Sequence, residues 1–281
     1  MTRCFFISDL HGHTDRYEKL FSKILEDRPE MVFLGGDLLP HGTHRNLIDD
    51  FTEDFLFHRF NNMRELMGSD YPEVLLILGN DDPRLEENKF IELGKAGTWV
   101  YLHDRKIESH GFTFYGYSNV PPTPFRFKDW ERYDVSRYVD PGCFPPYEGF
   151  HSVKPAVDLE WATIQDELKQ LTGDSIMEKS VFLFHSPPYK TYLDRAALDG
   201  RMIDHVPMDI HVGSIAIMRF IEERQPWLTM HGHIHESSRI TGHWRQQIGK
   251  TQAFSAAWDG RELALVDFDL DNPINAVRHI I

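Results

Sequence analysis

Long hydrophobic runs are missing from this chain. No apolar stretch approaches the roughly 20 residues that a bilayer-spanning helix needs, which argues against a membrane-embedded protein. Cysteine is nearly absent as well. Cys4 and Cys143 are the only two in 281 residues, and neither sits in a metal-binding or redox spacing. That excludes a disulfide framework and points to a reducing, cytoplasmic setting. Basic side chains are the third shortage: 30 Lys and Arg stand against 44 Asp and Glu, for a net charge of −14. A broad nucleic-acid-binding face, which needs clustered cations, is therefore disfavoured. Two bound dications would move the total of −14 only to about −10. An anionic substrate must then be drawn in by a local site. At the N-terminus Arg3 precedes a short apolar run that stops before Asp9, unlike a secretory leader.

What is present suits a packed α/β core: 41% hydrophobic residues, 20 of them Phe. We expect one domain over 1–281, with no internal repeat or linker. Residues 3–8, Met31–Leu34 and Glu73–Leu78 read as buried strands. Between them fall a helix capped by Thr14 or Asp15, with Tyr17, Leu20, Phe21, Ile24 and Leu25 on its apolar face, and a long helix from about Leu47 to Met67 that buries Phe51, Phe55 and Met63. Alternating strands and helices indicate a parallel sheet. Shorter strands are expected near Trp99–Leu102, Lys106–Ser109 and Phe112–Tyr117, the last two joined by a hairpin at His110-Gly111. A helix follows with Trp161, Ile164, Leu168 and Leu171 on one side, then a strand at Val181–Phe184. After a loop over 189–212, Ser214 caps a helix with Ile215, Met218 and Ile221. Residues 237–268 read as three or four antiparallel strands. Residues 118–155 break the pattern with prolines and aromatics. An insert so long is usually functional, and its aromatics argue against disorder, so we expect a lid or pocket wall in preference to a dimer contact.

Five apolar runs end at once in a residue of metal-ligand type: Asp9-x-His11, Gly36-Asp37, Gly79-Asn80, His185 and Gly232-His233-x-His235. In an open α/β sheet the carboxyl ends of parallel strands gather along one edge, where ligands bind. Seven oxygen and nitrogen donors would then converge although they are scattered over most of the chain.

The order Asp-x-His, Gly-Asp, Gly-Asn, His, Gly-His-x-His resembles the calcineurin-like metallophosphoesterase superfamily. The resemblance implies a four-layer αββα sandwich with a two-metal site. It places Asp9, His11, Asp37 and His235 on the first metal, with Asp37 bridging to a second that Asn80, His185 and His233 complete. His231 has no ligand role in that pattern. Such metal pairs clamp the attacking and leaving oxygens of an in-line displacement and lower the pKa of bound water, so that metal-bound hydroxide is the nucleophile. An all-nitrogen and oxygen donor set accepts two divalent ions from among Mn, Fe, Zn, Co and Ni.

Departures narrow the reading. Purple acid phosphatases carry a tyrosine where Pro40 stands. Many members follow Gly-Asn with a histidine taken to protonate the leaving group; here Asp81 stands there. The phosphatase branch has Asp-Arg where this chain has Pro40-His41. These features resemble the prokaryotic branch that often acts on phosphodiesters. His11, His41 and His13 are the candidates for contacting phosphate or the leaving oxygen, with Asp81 a doubtful one. A carboxylate beside two cations has a low pKa and is a poor acid. Asp82 is expected to orient a ligand from behind it. The helix start at His211–Ser214 offers an anion site or, preferably, a plain cap. The expected function is a dimetal phosphodiesterase on a small or nucleotide-like substrate, with assembly into a homo-oligomer left open. The alternatives are a phosphomonoesterase, protein phosphatase or nuclease, and a non-catalytic metal-binding adaptor.

Overall fold

The computed structural model describes residues 2–41 and 48–281. Strand β1 (Arg3–Ile7) leads into helix α1 (Thr14–Asp27). Tyr17, Leu20, Phe21 and Ile24 are buried at helical spacing, whereas Leu25, expected beside them, is exposed. Neither Thr14 nor Asp15 caps this helix. His13 holds the cap position with an extended backbone and no side-chain capping bond, so Thr14 is already helical. After β2 (Met31–Gly35), the expected start of the long helix at Leu47 lies outside the described residues. From Phe51 to Phe57 the chain forms a π-helical segment, capped by Asp50, and continues as α2 (His58–Met67). Phe51 and Met63 are buried and Phe55 half-buried.

β3 (Glu73–Ile77) is followed by a helix that the sequence pattern does not reveal, α3 (Glu87–Gly94), then β4 (Val100–Tyr101), β5 (Arg105–Ser109) and β6 (Phe112–Tyr117). His110 and Gly111, at φ 48° and 77°, make the two-residue turn between β5 and β6. Positive φ at both positions marks the type I′ hairpin. Helix α4 (Ile164–Thr172) is capped by Thr163. Trp161 precedes it and is 62% exposed, so the tryptophan is not on the buried face. β7 (Ser180–Phe184) comes next. The stretch read as a loop then contains a small hairpin, β8 (Met202–Ile203) with β9 (Val206–Pro207). Ser214 caps α5 (Ile215–Arg224) as expected, accepting the Ile217 N–H at 3.0 Å. Its buried face is rotated, though: Ala216, Ile217, Phe220 and Ile221 face inward, while Ile215 and Met218 are half-buried.

β10 (Leu228–His231) is followed by a short helix, α6 (Ser237–Thr241), and then β11 (Arg245–Ile248), β12 (Thr251–Ser255), β13 (Ala264–Asp269) and β14 (Val277–Ile280). The expected run of antiparallel strands over 237–268 is therefore corrected. It begins with a helix, β12 lies parallel to β10, and β13 crosses to the other sheet.

The strands form two six-stranded mixed sheets, ordered β14-β13-β1-β2-β3-β4 and β11-β12-β10-β7-β6-β5. Side chains alternate between the two faces of each strand. In β1 to β3, Phe5, Ile7, Val32, Leu34, Val74 and Leu76 pack with α1, α2 and α3. Their neighbours Phe6, Phe33, Leu75 and Ile77 turn the other way, against Phe114, Val181, Leu183 and Met230 of the second sheet. That sheet's outer face (Tyr115, Phe182, Phe184) lies under α4 and α5. Burial on both faces explains why these strands read as continuous apolar runs. The result is a four-layer αββα sandwich. No helix among the described residues is long and apolar enough to cross a membrane, and Cys4 and Cys143 are both free thiols.

Candidate metal centre

The parallel strands β1, β2 and β3 of one sheet and β7 and β10 of the other all end at the same edge. Backbone bonds stitch the segments that leave them. Asp9 N–H donates to the Gly36 carbonyl at 3.0 Å, His11 N–H to Asp37 at 2.7 Å, and Gly232 N–H to His185 at 2.9 Å. A bond between the sheets, from His233 N–H to Asp9 Oδ1 at 3.0 Å, closes the ring. Asp9, His11, Asp37 and His233 are all left-handed, with φ between 46° and 73°. Conformations of this kind cost on the order of 1 kcal/mol each and gather at functional sites. Gly36 is required here: its φ is 93°, and a Cβ would lie 2.6 Å from His185 Nδ1.

The donors of Asp9, His11, Asp37 and His235 lie within 4.8 Å of one another, and so do those of Asp37, His185 and His233. Asp37 is common to both groups. Within the first, His11 Nε2 is 3.1 Å from His235 Nε2, which is 3.2 Å from Asp9 Oδ1. Within the second, His185 Nε2 faces Asp37 Oδ2 at 3.3 Å and Asn80 Oδ1 at 2.9 Å. The structure thus brings all seven sequence-derived donors to one place.

The chemistry of this donor set is that of a cation site. His185 Nδ1 lies 2.8 Å from the Gly35 carbonyl, so that nitrogen carries the ring proton. Its other nitrogen meets two acceptors, the Asn80 amide oxygen and the Asp37 carboxylate, which either a proton on that nitrogen or a metal ion in the proton's place would serve. Acceptors converge in this way only around a proton or a metal ion. The electrostatics agree. Burial pulls the His185 imidazole down, but Asp37 outweighs it and lifts the pKa to about 10. For His235 burial is likewise overcome, by Asp9, and the pKa rises to about 9. Burial also opposes ionisation of Asp9, yet the bond and charge of His235 hold its carboxyl at about 2. His11 and His233 are pushed down by burial to about 4 and about 3, the state in which imidazole is a ligand. The residues present fit divalent metal binding.

Around these donors, Asp82 is fully buried and its carboxylate accepts the N–H groups of Leu38 (3.0 Å), Leu39 (2.7 Å) and Gly79 (2.9 Å). It therefore ties the Asp37 loop to the Asn80 loop. His41 packs on His11 with ring centroids 4.6 Å apart and sets Nε2 3.4 Å from Asp81 Oδ2. His11, His41 and Asp81 form a third group with metal-ligand spacing. His13, at the start of α1, belongs to none of the three groups. His231 lies away from them, bonded to the Ser186 carbonyl and Thr229 hydroxyl at 2.9 Å each and stacked on Phe184. The helix start at His211–Ser214 is a cap: Asp134 of the insert accepts from Ser214 Oγ, Ile215 N and Ala216 N, filling the place an anion would take.

Two contributions escape the sequence reading. Arg16 turns inward from α1 and donates to the Asp9 carbonyl at 2.9 Å; its signal is a charge on an apolar helix face. Trp130 of the insert donates its indole N–H to the Asp82 carbonyl at 2.7 Å, with the Arg84 guanidinium 4.3 Å above its ring. No periodic pattern announces such a contact.

No family model matches the sequence, and no curated protein does either. Solved structures do match. One aligns with a TM-score of 0.62 at 15% identity, covering 99% of this chain and 98% of its own. The protein TT1561 of Thermus thermophilus aligns with a TM-score of 0.56 at 13% identity, with coverage of 99% and 98%. A novel archaeal phosphodiesterase aligns over 99% of each chain with a TM-score of 0.48 at 11% identity. At these identities the likeness is one of fold.

Proposed function

We propose that this chain is a dimetal-dependent phosphoester hydrolase, and within that class a phosphodiesterase acting on a small or nucleotide-like substrate. One observation carries the reading: two groups of largely buried side chains of metal-ligand type, the donor atoms of each within 4.8 Å of one another, share the Asp37 carboxylate. Asp9, His11, Asp37 and His235 would hold one divalent cation, and Asp37, Asn80, His185 and His233 the other. Bound cations of this kind lower the pKa of water toward neutrality and withdraw charge from phosphoryl oxygens.

The chain's own residues do the rest. Asp37 supplies the negative charge that lets two cations lie close together, while neutral Asn80 adds an oxygen without adding charge. With two ionised aspartates the loaded site keeps a net positive charge, which attracts a phosphate to a chain whose overall charge is −14. The Gly35 carbonyl keeps the His185 ring turned so that Nε2 faces inward. His41, 40% exposed beside His11, stands where a leaving oxygen can take a proton from its ring nitrogen. His13 has no role in this scheme.

The deciding experiment is a screen of the Mn-loaded protein against model phosphodiesters and phosphomonoesters on one preparation. Diester hydrolysis exceeding monoester hydrolysis is expected. Hydrolysis of neither class would overturn the enzymatic reading. Preferential, salt-sensitive cleavage of single-stranded nucleic acid would move the substrate from small molecules to polymers.

A further inference from the structure

Asp81 touches three of the seven donors. Its backbone N–H donates to Asp37 Oδ1 at 2.8 Å. Its Oδ1 accepts from Asn80 Nδ2 at 3.0 Å, which fixes the amide so that Asn80 Oδ1 points to His185. Its Oδ2 lies 3.8 Å from His11 Nδ1 and 3.4 Å from His41 Nε2. His11 Nδ1 is itself a buried polar atom with no hydrogen-bond partner among the described residues, on a side chain only 7% exposed.

An imidazole that ligates through one nitrogen keeps its proton on the other, and that N–H needs an acceptor. Left unsatisfied in a buried place it destabilises the site, and the ring is free to turn. Metal-ligating histidines generally donate this proton to a carboxylate or carbonyl, which fixes the ring and raises its basicity. His11 Nε2 faces His235 and Asp37 in the first group, so Nδ1 is the nitrogen left over. Asp81 Oδ2 faces it from just beyond hydrogen-bond range.

We infer that Asp81 is a positioning residue that orients one ligand of each half of the centre: His11 through Oδ2 and Asn80 through Oδ1. Asp81 can act this way only if the dimetal reading holds. It neither donates a proton to the substrate nor ligates a cation. His41, which shares Oδ2, competes with His11 for it.

The test is metal binding by the full-length protein, independent of turnover. Mn2+ uptake is followed by isothermal titration calorimetry, and coordination geometry by the visible spectrum of the Co2+ form. D81A is expected to weaken Mn2+ binding 10- to 100-fold, the range for loss of such an outer partner, and to shift the Co2+ bands. D81N keeps one acceptor oxygen but sets an amide donor where the other stood, so it serves one of the two ligands and is expected to bind between D81A and the wild type. H41A is expected to leave Mn2+ affinity unchanged while turnover falls. If D81A binds Mn2+ like the wild type, with the same Co2+ spectrum but lower turnover, Asp81 acts on the substrate and the inference is overturned. D81N that binds Mn2+ as tightly as the wild type overturns it too, because two acceptor oxygens would then not be needed. A wild-type chain that takes up no pair of ions overturns the dimetal reading, and the role of Asp81 with it.

Discussion

Two clusters of buried charge lie a short way apart in this protein, and they are built on opposite terms. In the insert, Lys128 and Glu131 are 0% and 1% exposed and face each other at 2.5 Å. The Lys128 ammonium also donates to the Thr123 carbonyl at 2.8 Å, and Glu131 accepts the Thr123 N–H at 2.9 Å. That cluster is complete within the chain. At the strand ends, Asp9 and Asp37 are equally buried, but among the described residues neither has a lysine or arginine within ion-pair distance, only histidines. Arg16, the nearby cation, is bonded to the Asp9 backbone and not to its carboxylate. A buried charge must be matched or neutralised. The insert matches its carboxylate with a lysine; the strand ends match theirs with histidines, which can yield their protons to a cation.

That contrast can be broken in order of effect. Substituting Asp37, the group shared by both halves, should be the most damaging. D37N is expected to lower kcat/KM of the Mn-loaded protein by on the order of 10^3-fold or more, about 4 kcal/mol of transition-state stabilisation, in a protein that still folds. A variant that kept its activity would show that the two donor groups do not act together. In the insert the damage should fall on stability. K128M leaves Glu131 buried without its partner and is expected to cost about 3–5 kcal/mol in denaturant unfolding, whereas K128M/E131L should recover most of it. If the double variant were as unstable as the single one, the pair would not be self-sufficient.

The smallest effect sharpens the comparison with a third kind of buried ionisable group, one kept neutral. His103 has its pKa held well below the usual histidine value, first by burial and then by the charges of Arg84, Arg132 and Arg105. Its Nδ1 accepts the Ser118 N–H at 3.0 Å, a bond that protonation would destroy. Folded His103 stays neutral where the unfolded chain binds a proton below about pH 6.5. The stability it supports is therefore fully present above about pH 6.5 and is lost as pH falls below that, by up to roughly 1.4 kcal/mol per pH unit. The difference in acid-unfolding slope between wild type and H103Q measures it. Identical slopes would mean that His103 already takes up a proton in the folded state.

The centre is legible in the sequence to an unusual degree because its donors follow directly on apolar runs, and a strand that ends in a ligand announces both. Phe5-Phe6-Ile7 before Asp9, and Val181 to Phe184 before His185, are examples. Helix faces are less legible. Trp161 reads as a buried-face residue because it falls in phase with Ile164, but the helix begins after it, and an aromatic does not reveal which side of a boundary it occupies. The C-terminal strands mislead because pairing partners are not encoded locally. β12 adds in parallel to β10, and nothing in Thr251–Ser255 distinguishes that from a meander. In the insert, composition reveals the aromatics but not that Trp130 is buried against the Asp82 loop while Phe125 and Phe150 stay exposed. Asp81 can be read in the sequence through its charge alone, and only the fold shows which neighbours its two oxygens meet.

Asp82 grips backbone on both sides of the gap between Leu38 and Gly79. The two walls of the centre are therefore riveted together by one buried carboxylate, beside the Asp81 N–H bond to Asp37. Trp130, fastened to the same residue, extends that stiffness into the insert, which makes a segment that looks like an appendage part of the frame.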